Sequence, residues 1–215
     1  ASSLNNLGYA YHSLGRYSEA IEYYQQSLTI QREIGDRRGE AFSLNGLGYA
    51  YNALGRYSEA IEYHQQSLTI QREIGDRRGE ASSLNNLGYA YHSLGRYSEA
   101  IEYYQQSLTI QREIGDRRGE AVSLLALGKL YQKTGRIREG FAASQQATLI
   151  YQELDLPLNA YPYPNWMKQI VKFAQRSRFH LILCFILGVF AFPFALVWFI
   201  LLILYRLIRN LFSHR

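Results

Sequence analysis

"SLNNLGYAYHSLGRYSEA" runs from Ser3 to Ala20 and returns letter for letter from Ser83 to Ala100. A near copy, "SLNGLGYAYNALGRYSEA", lies between them from Ser43 to Ala60. Working outward, residues 1–40 and 81–120 are identical, and 41–80 differs at five positions: Phe42, Gly46, Asn52, Ala53 and His64. A fourth unit, 121–155, keeps "SLLALGKLYQKTGR" and then drifts, as the capping unit of a stacked array should. The fixed period of 40 residues marks a repeat architecture before any motif is considered.

Within one unit the apolar residues recur at helical spacing. Leu4, Leu7, Tyr11 and Leu14 form one stripe with Gly8 inside it, and Gly15 is placed to end the helix. Ser18 is the expected N-cap of a second helix, with Glu19 in its first turn. That helix carries Ala20, Ile21, Tyr24 and Leu28 on one side and stops near Gly35 and Asp36. Each unit is thus a helical hairpin that cannot bury its own apolar face. The hairpins must stack.

Charge divides the chain. Each block of 40 carries four Arg and five acidic residues, so the three blocks sum to −3, while 121–215 carries +8. The basic character belongs to the C-terminal part, which removes the main support for nucleic-acid binding by the repeats. A single cysteine, Cys184, excludes intrachain disulfides and Cys-based zinc sites. No HExxH, GxSxG, Walker or GxGxxG arrangement occurs, and His12 and His92 lie two repeats apart. The reading is of a non-enzyme without cofactor or metal. The chain starts at Ala1 without the "IGDRRGE" that precedes the later repeats, so it is read as part of something longer or processed at that end.

The residues Leu44, Leu47-Gly48, Tyr51 and Ala60, with Tyr24 and Tyr104 in the last slot, resemble the tetratricopeptide repeat. His64 fills that slot in the middle copy, and Arg32 stands where the family usually has proline. The period of 40 and the "SLNNLG" and "REIGD" phrases resemble the longer-helix variety of kinesin light chains and LGN/Pins-type adaptors. The resemblance covers 1–155 and implies an all-α, right-handed superhelical solenoid of about four hairpins that serves as a binding scaffold.

A wheel at about 100° per residue separates two faces of the first helix. Leu4, Leu7, Gly8, Tyr11 and Leu14 share the core side; Ser2, Asn5, Asn6, Tyr9, His12 and Ser13 share the other. The resemblance places this second set in a concave groove. Four of the five changes in the middle unit fall in that sector: Phe42, Gly46, Asn52 and Ala53. The candidate peptide-binding residues are therefore Asn5, Asn6, Tyr9, His12, Phe42, Asn45, Tyr49, Asn52, Asn85, Asn86, Tyr89, His92 and Lys129. Asn offers a donor and an acceptor to a peptide backbone, and Tyr adds flat contact area with a polar tip. A solvated polar face with no ligand is the plainer alternative.

Past Asp155 the composition changes. Residues 156–165 hold Pro157, Pro162 and Pro164 and read as a semi-rigid linker. In 166–178, Trp166, Met167, Ile170, Val171, Phe173 and Ala174 fall on one arc and Lys168, Gln169, Lys172, Gln175 and Arg176 on the other, the pattern of a basic interfacial helix. Residues 181–204 carry no charge, and 18 of them are Leu, Ile, Phe or Val. Such a stretch would span roughly 36 Å as a helix against about 30 Å of hydrocarbon, and it reads as a transmembrane segment. Pro193 divides it, so a re-entrant hairpin competes with a single kinked span. Residues 205–215 form a short basic tail. Trp166, Lys168, Lys172, Arg176, Arg178, Arg206 and Arg209 are the expected membrane-interface residues, with anionic lipid as the expected partner.

The whole reads as a membrane-anchored adaptor that binds a peptide or partner protein and no nucleic acid, single-pass near its C-terminus, with its repeats in the cytoplasm. A sensor or regulatory arm of a larger protein is the alternative.

Overall fold

The computed structural model of the chain describes residues 1–154. They form eight helices: α1 Ser2–Ser13, α2 Tyr17–Ile34, α3 Arg37–Ala53, α4 Tyr57–Glu73, α5 Arg77–Ser93, α6 Tyr97–Glu113, α7 Arg117–Lys133 and α8 Ile137–Glu153. Each consecutive pair packs together. In addition α1 touches α3 and α3 touches α5, which puts the first helices of the hairpins in one inner layer. The result is a solenoid of four stacked hairpins, with no strand among the described residues.

Two kinds of turn punctuate it. Inside each repeat, Gly15, Gly55, Gly95 and Gly135 take φ of 75°, 74°, 78° and 80°, a region that L side chains avoid. Their amides cap the preceding helix, Gly15 N donating to the His12 carbonyl and Arg16 N to the Tyr11 carbonyl. Between repeats, Asp36, Asp76 and Asp116 cap the next helix, each accepting from the amide three residues on, at 2.9 Å in the first case. Ser18 is not the N-cap that the sequence suggests. The helix starts at Tyr17 with Arg16 as its N-cap, two residues earlier than a Ser18 cap would give, and Ser18 lies exposed in its first turn. Arg16 holds that corner instead, with its Nε 2.8 Å from Glu19 Oε1 and its guanidinium 4.5 Å above the Tyr11 ring.

Leu44, Leu47, Leu84 and Leu87 are fully buried, as are Ala20, Ala60 and Ala100 where the helices cross. Tyr pairs brace the first three hairpins: Tyr11 on Tyr23, Tyr51 on Tyr63 and Tyr91 on Tyr103, with ring centroids 5.0–5.2 Å apart. Two members of the expected apolar stripe fail to bury. Leu14 and its equivalents Leu54 and Leu94 are exposed because they sit past the helix at the turn. Leu7 is 42% exposed because no helix lies beyond α1 on that side among the described residues.

Successive repeats are also clamped by charge. Glu40 receives Arg32 Nε at 2.8 Å and an Arg37 nitrogen at 2.7 Å, and Arg37 continues to Glu73 of the next repeat. Burial raises the Glu40 pKa, but Arg32 and Arg37 outweigh it and leave the net shift downward. The same clamp recurs at Glu80 and Glu120. Arg32, which replaces the proline of the usual repeat, therefore joins its helix to the next hairpin.

The stretches expected to form the linker, the interfacial helix, the transmembrane segment and the basic tail, 156–215, lie outside the described residues. Among those described, no helix is long and apolar enough to cross a membrane.

Candidate binding groove

The first helices line a cavity of about 390 Å³. His12 enters it from α1, Tyr49 and Asn52 from α3, and Asn85, Asn86 and Tyr89 from α5. Ala53, Tyr104, Val122 and Ala126 complete its mostly apolar wall. Six of the thirteen candidates from the sequence thus meet at one place. Asn6, Tyr9, Phe42, His92 and Lys129 lie elsewhere on the array: Tyr9 and Phe42 are exposed, and His92 packs 5.8 Å from the Tyr97 ring. Burial, then Lys133 and Lys129, depress the His92 pKa.

The asparagines behave differently from the wheel's expectation. Asn5 is only 6% exposed, and its Oδ1 stands 2.7 Å from Ser43 Oγ of the next repeat. Its assignment to an open groove is corrected: it is a contact between repeats. Ser43 also lies 2.5 Å from Gln31 Oε1, so one hydroxyl bridges two acceptors and donates to one at a time. Asn85 repeats the pattern through Ser123, at 3.3 Å, with Gln111 at 2.8 Å. Asn85 is half-buried and keeps a place in the cavity wall. The single-face wheel failed because an inner-layer helix packs against its own partner and against both neighbouring repeats. In α3 the buried set runs from Ala41 and Leu44 through Gly46 to Asn52, well beyond one stripe.

Asn45 does something else. His64 occupies the slot that is Tyr24 and Tyr104 in the other repeats, and it is completely buried. Its Nδ1 is 2.8 Å from Asn45 Oδ1, its Nε2 is 3.2 Å from Asn52 Nδ2, and Asn86 Nδ2 donates to the same Asn45 oxygen at 3.1 Å. Because Asn45 Oδ1 is an acceptor on both sides, the network assigns the proton to His64 Nδ1 and leaves Nε2 to accept from Asn52. Burial pushes the His64 pKa down to about 3, so the ring is neutral at ordinary pH. Tyr49 meets it edge-on at 5.6 Å.

Gly46 follows from volume, and nothing in the structure explains Phe42 or Ala53. A Cβ on Gly46 would come within 2.5 Å of the Tyr24 ring, so a side chain there would force Tyr24 to shift. The equivalent of Gly46 after His64 is Asn86, and after Tyr104 it is Ala126. A smaller ring leaves room for a larger neighbour. Tyr24, in the larger pairing, is raised to about pKa 12, by burial first. His64 and Tyr104 were absent from the sequence-derived site because they sit on second helices. The signal that could have found His64 was its co-occurrence with Asn52 and Gly46 among only five differences.

Among the described residues no group of His, Cys, Asp and Glu could hold a metal ion. The site offers neutral hydrogen-bonding groups beside tyrosine faces and small apolar side chains.

A family model for the tetratricopeptide repeat matches residues 1–73 and 79–153. The chain belongs to the tetratricopeptide repeat family, whose fold is typically a non-enzymatic scaffold. No match is found among curated proteins. Among solved structures, BtubC (BKLC) from P. vanneervenii is 24% identical with a TM-score of 0.66, over 75% of this chain and 65% of that one. A putative kinesin light chain from P. anserina with nearly identical TPR-like repeats is 24% identical with a TM-score of 0.62, over 81% and 83%. A Rap protein complexed with competence and sporulation factor is 18% identical with a TM-score of 0.66, over 71% and 43%. This chain therefore spans less than two thirds of the BtubC and Rap chains. These likenesses establish the fold.

Proposed function

We propose that the chain is a membrane-anchored protein-interaction scaffold whose inner groove binds an extended peptide segment of a partner. The observation that carries the reading is the cavity at the centre of the repeats, where Tyr49 and Tyr89 stand half-exposed beside Asn52, Asn85 and Asn86. Exposed tyrosines flanking a partly polar cleft suit an adaptable peptide better than a solvated face, which would need no cavity. The Rap protein of similar fold, solved in complex with competence and sporulation factor, supports a binding role for this kind of array. The anchor rests on the uncharged run 181–204.

A peptide-display selection on the full chain tests the groove. Selected peptides should lose at least about tenfold in affinity to Tyr49→Ala with Tyr89→Ala, removing two aromatic contacts of ~1 kcal/mol or more each. Gln26→Ala with Gln66→Ala, exposed on second helices, should change little. Equal loss from both pairs would refute the groove. The anchor is tested by alkaline carbonate extraction: the chain should stay with membranes, and its release would refute insertion.

A further inference from the structure

The first and third hairpins share one sequence and differ in their surroundings. Ser83, Leu87 and Ala90, on the side of α5 that faces the second repeat, are fully buried. Their counterparts Ser3, Leu7 and Ala10 on α1 are exposed, Leu7 to 42%. The open hairpin is nonetheless built like the covered one. Ser27 Oγ donates to the Ala1 carbonyl at 3.0 Å, as Ser107 Oγ does to the Ala81 carbonyl at 2.8 Å. The open side of α1 is therefore a copy of a surface whose occupant is visible elsewhere in the same molecule. Over α5 that occupant brings Leu68 into one cluster with Leu84 and Leu87, with Ile61 packed against it. It also offers Asn45 Oδ1 to Asn86 Nδ2 at 3.1 Å.

Two features of this surface select its occupant. The first is volume. Gly46 follows Tyr24 and Ala126 follows Tyr104, whereas the larger Asn86 follows His64. Asn6 is the counterpart of Asn86, so a tyrosine unit placed against α1 would be crowded by its side chain. The second is hydrogen bonding. Asn45 Oδ1 accepts from both His64 and Asn86, but the same oxygens of the tyrosine units, on Asn5 and Asn85, turn to Ser43 and Ser123. A tyrosine unit would thus leave the Asn6 amide without its acceptor. The last repeat of a second copy of this chain lacks that acceptor too, with Leu125 at the Asn45 position and Ser144 at the His64 position. We propose that the open side of α1 is an interaction surface for a tetratricopeptide hairpin of the 41–80 type, with histidine and asparagine in the His64 and Asn45 slots, presented by the end of another array. This surface is separate from the groove.

The test extends the full chain at Ala1 by one hairpin, either a copy of 41–80 or a copy of 1–40. Both copies end in glutamate, so each reproduces the join between Glu80 and Ala81, and they differ at only five positions. The reporter is the alkylation rate of Ser3→Cys, with Cys184→Ser removing the one native thiol. The copy of 41–80 should slow alkylation at least about a hundredfold, because the docked thiol is reached only through local opening. The copy of 1–40 should slow it at most about a tenth as much, which also accounts for simple shielding by an added chain. Tyr24→His with His12→Asn, made in the added copy of 1–40, should bring the slow rate back. So should Asn6→Gly in the chain itself, which recreates the pairing of Tyr24 with Gly46. An unchanged rate with the copy of 41–80 would overturn the surface. Equal slowing by both copies, or failure of either rescue, would overturn the selection of a histidine unit.

Discussion

The boundary between the first and second repeats and the boundary between the second and third are built from nearly the same letters and solve different problems. At the first, Tyr24 fills the space above Gly46, and Ser43 bridges Asn5 and Gln31. At the second, His64 replaces the tyrosine, Asn45 turns to His64 and Asn86, and Ser83 is left with Ser67 at 3.4 Å. Gln71 Oε1, the counterpart of a satisfied atom at the first boundary, has no partner. The third boundary returns to the first pattern, with Ser123 between Asn85 and Gln111. An aromatic block has been exchanged for a polar network beside the cavity, and Asn52 Oδ1 and Gln71 Oε1 are left without partners. Such networks specify geometry at some cost in stability.

The largest expected effects should not distinguish the boundaries. Leu47→Ala and Leu87→Ala each remove a fully buried side chain and should cost about 2–5 kcal/mol in denaturant melts, whereas Leu7→Ala, half-exposed, should cost about 1 kcal/mol. A Leu7 loss as large as the others would mean that the described array hides a further contact at α1.

Volume comes next. His64→Tyr forces a larger ring toward Asn86 and should cost about 1–3 kcal/mol, with Asn86→Gly added in the same chain restoring most of it. Gly46→Asn should cost a similar amount at the first boundary, where it would force Tyr24 to shift. If Asn86→Gly gives no rescue, the volume pairing across repeats is wrong.

Acid should act on the second boundary more than on the first. The His64 pKa in the folded chain, about 3, lies below its unfolded value of about 6.5. Its contribution is therefore fully present above pH 6.5 and is lost as pH falls toward 3. One extra proton taken up by the unfolded chain gives a slope of about 1.4 kcal/mol per pH unit in that window. Urea melts between pH 7 and 5 should show a steeper loss of stability in the native chain than in His64→Gln, where the part due to His92 remains. Identical slopes would remove His64 from the account.

The smallest difference should come from the charge clamps, which are alike at both boundaries. Arg37→Ala and Arg77→Ala should each cost under about 1 kcal/mol and should match, since Arg32 and Arg72 remain on Glu40 and Glu80. Unequal losses would place the distinction in the ion pairs instead.

The hairpins, their order and the buried Leu44, Leu47 and Ala60 were legible in the sequence because periodicity alone dictates them. The caps were less so. Ser18 has the right chemistry for an N-cap, yet the Arg16–Glu19 pair and the Tyr11 face decide the turn, and these are tertiary contacts. The groove was half legible. Tyr49, Asn52, Asn86 and Tyr89 were found because one helical face gathers them, but Asn5 was misplaced because inner-layer helices bury more than one face. His64 stands on the other helix of its hairpin, out of reach of a reading that treats each helix alone.

The most direct test of this contrast is the state of His64 itself, followed by nitrogen NMR of histidine-labelled chain assigned with His64→Gln. A neutral ring carrying its proton on Nδ1, unchanged from pH 7 to pH 5, is expected from the Asn45 and Asn52 contacts. A ring that titrates near pH 6.5, or that carries its proton on Nε2, would contradict the network that sets the second boundary apart from the first.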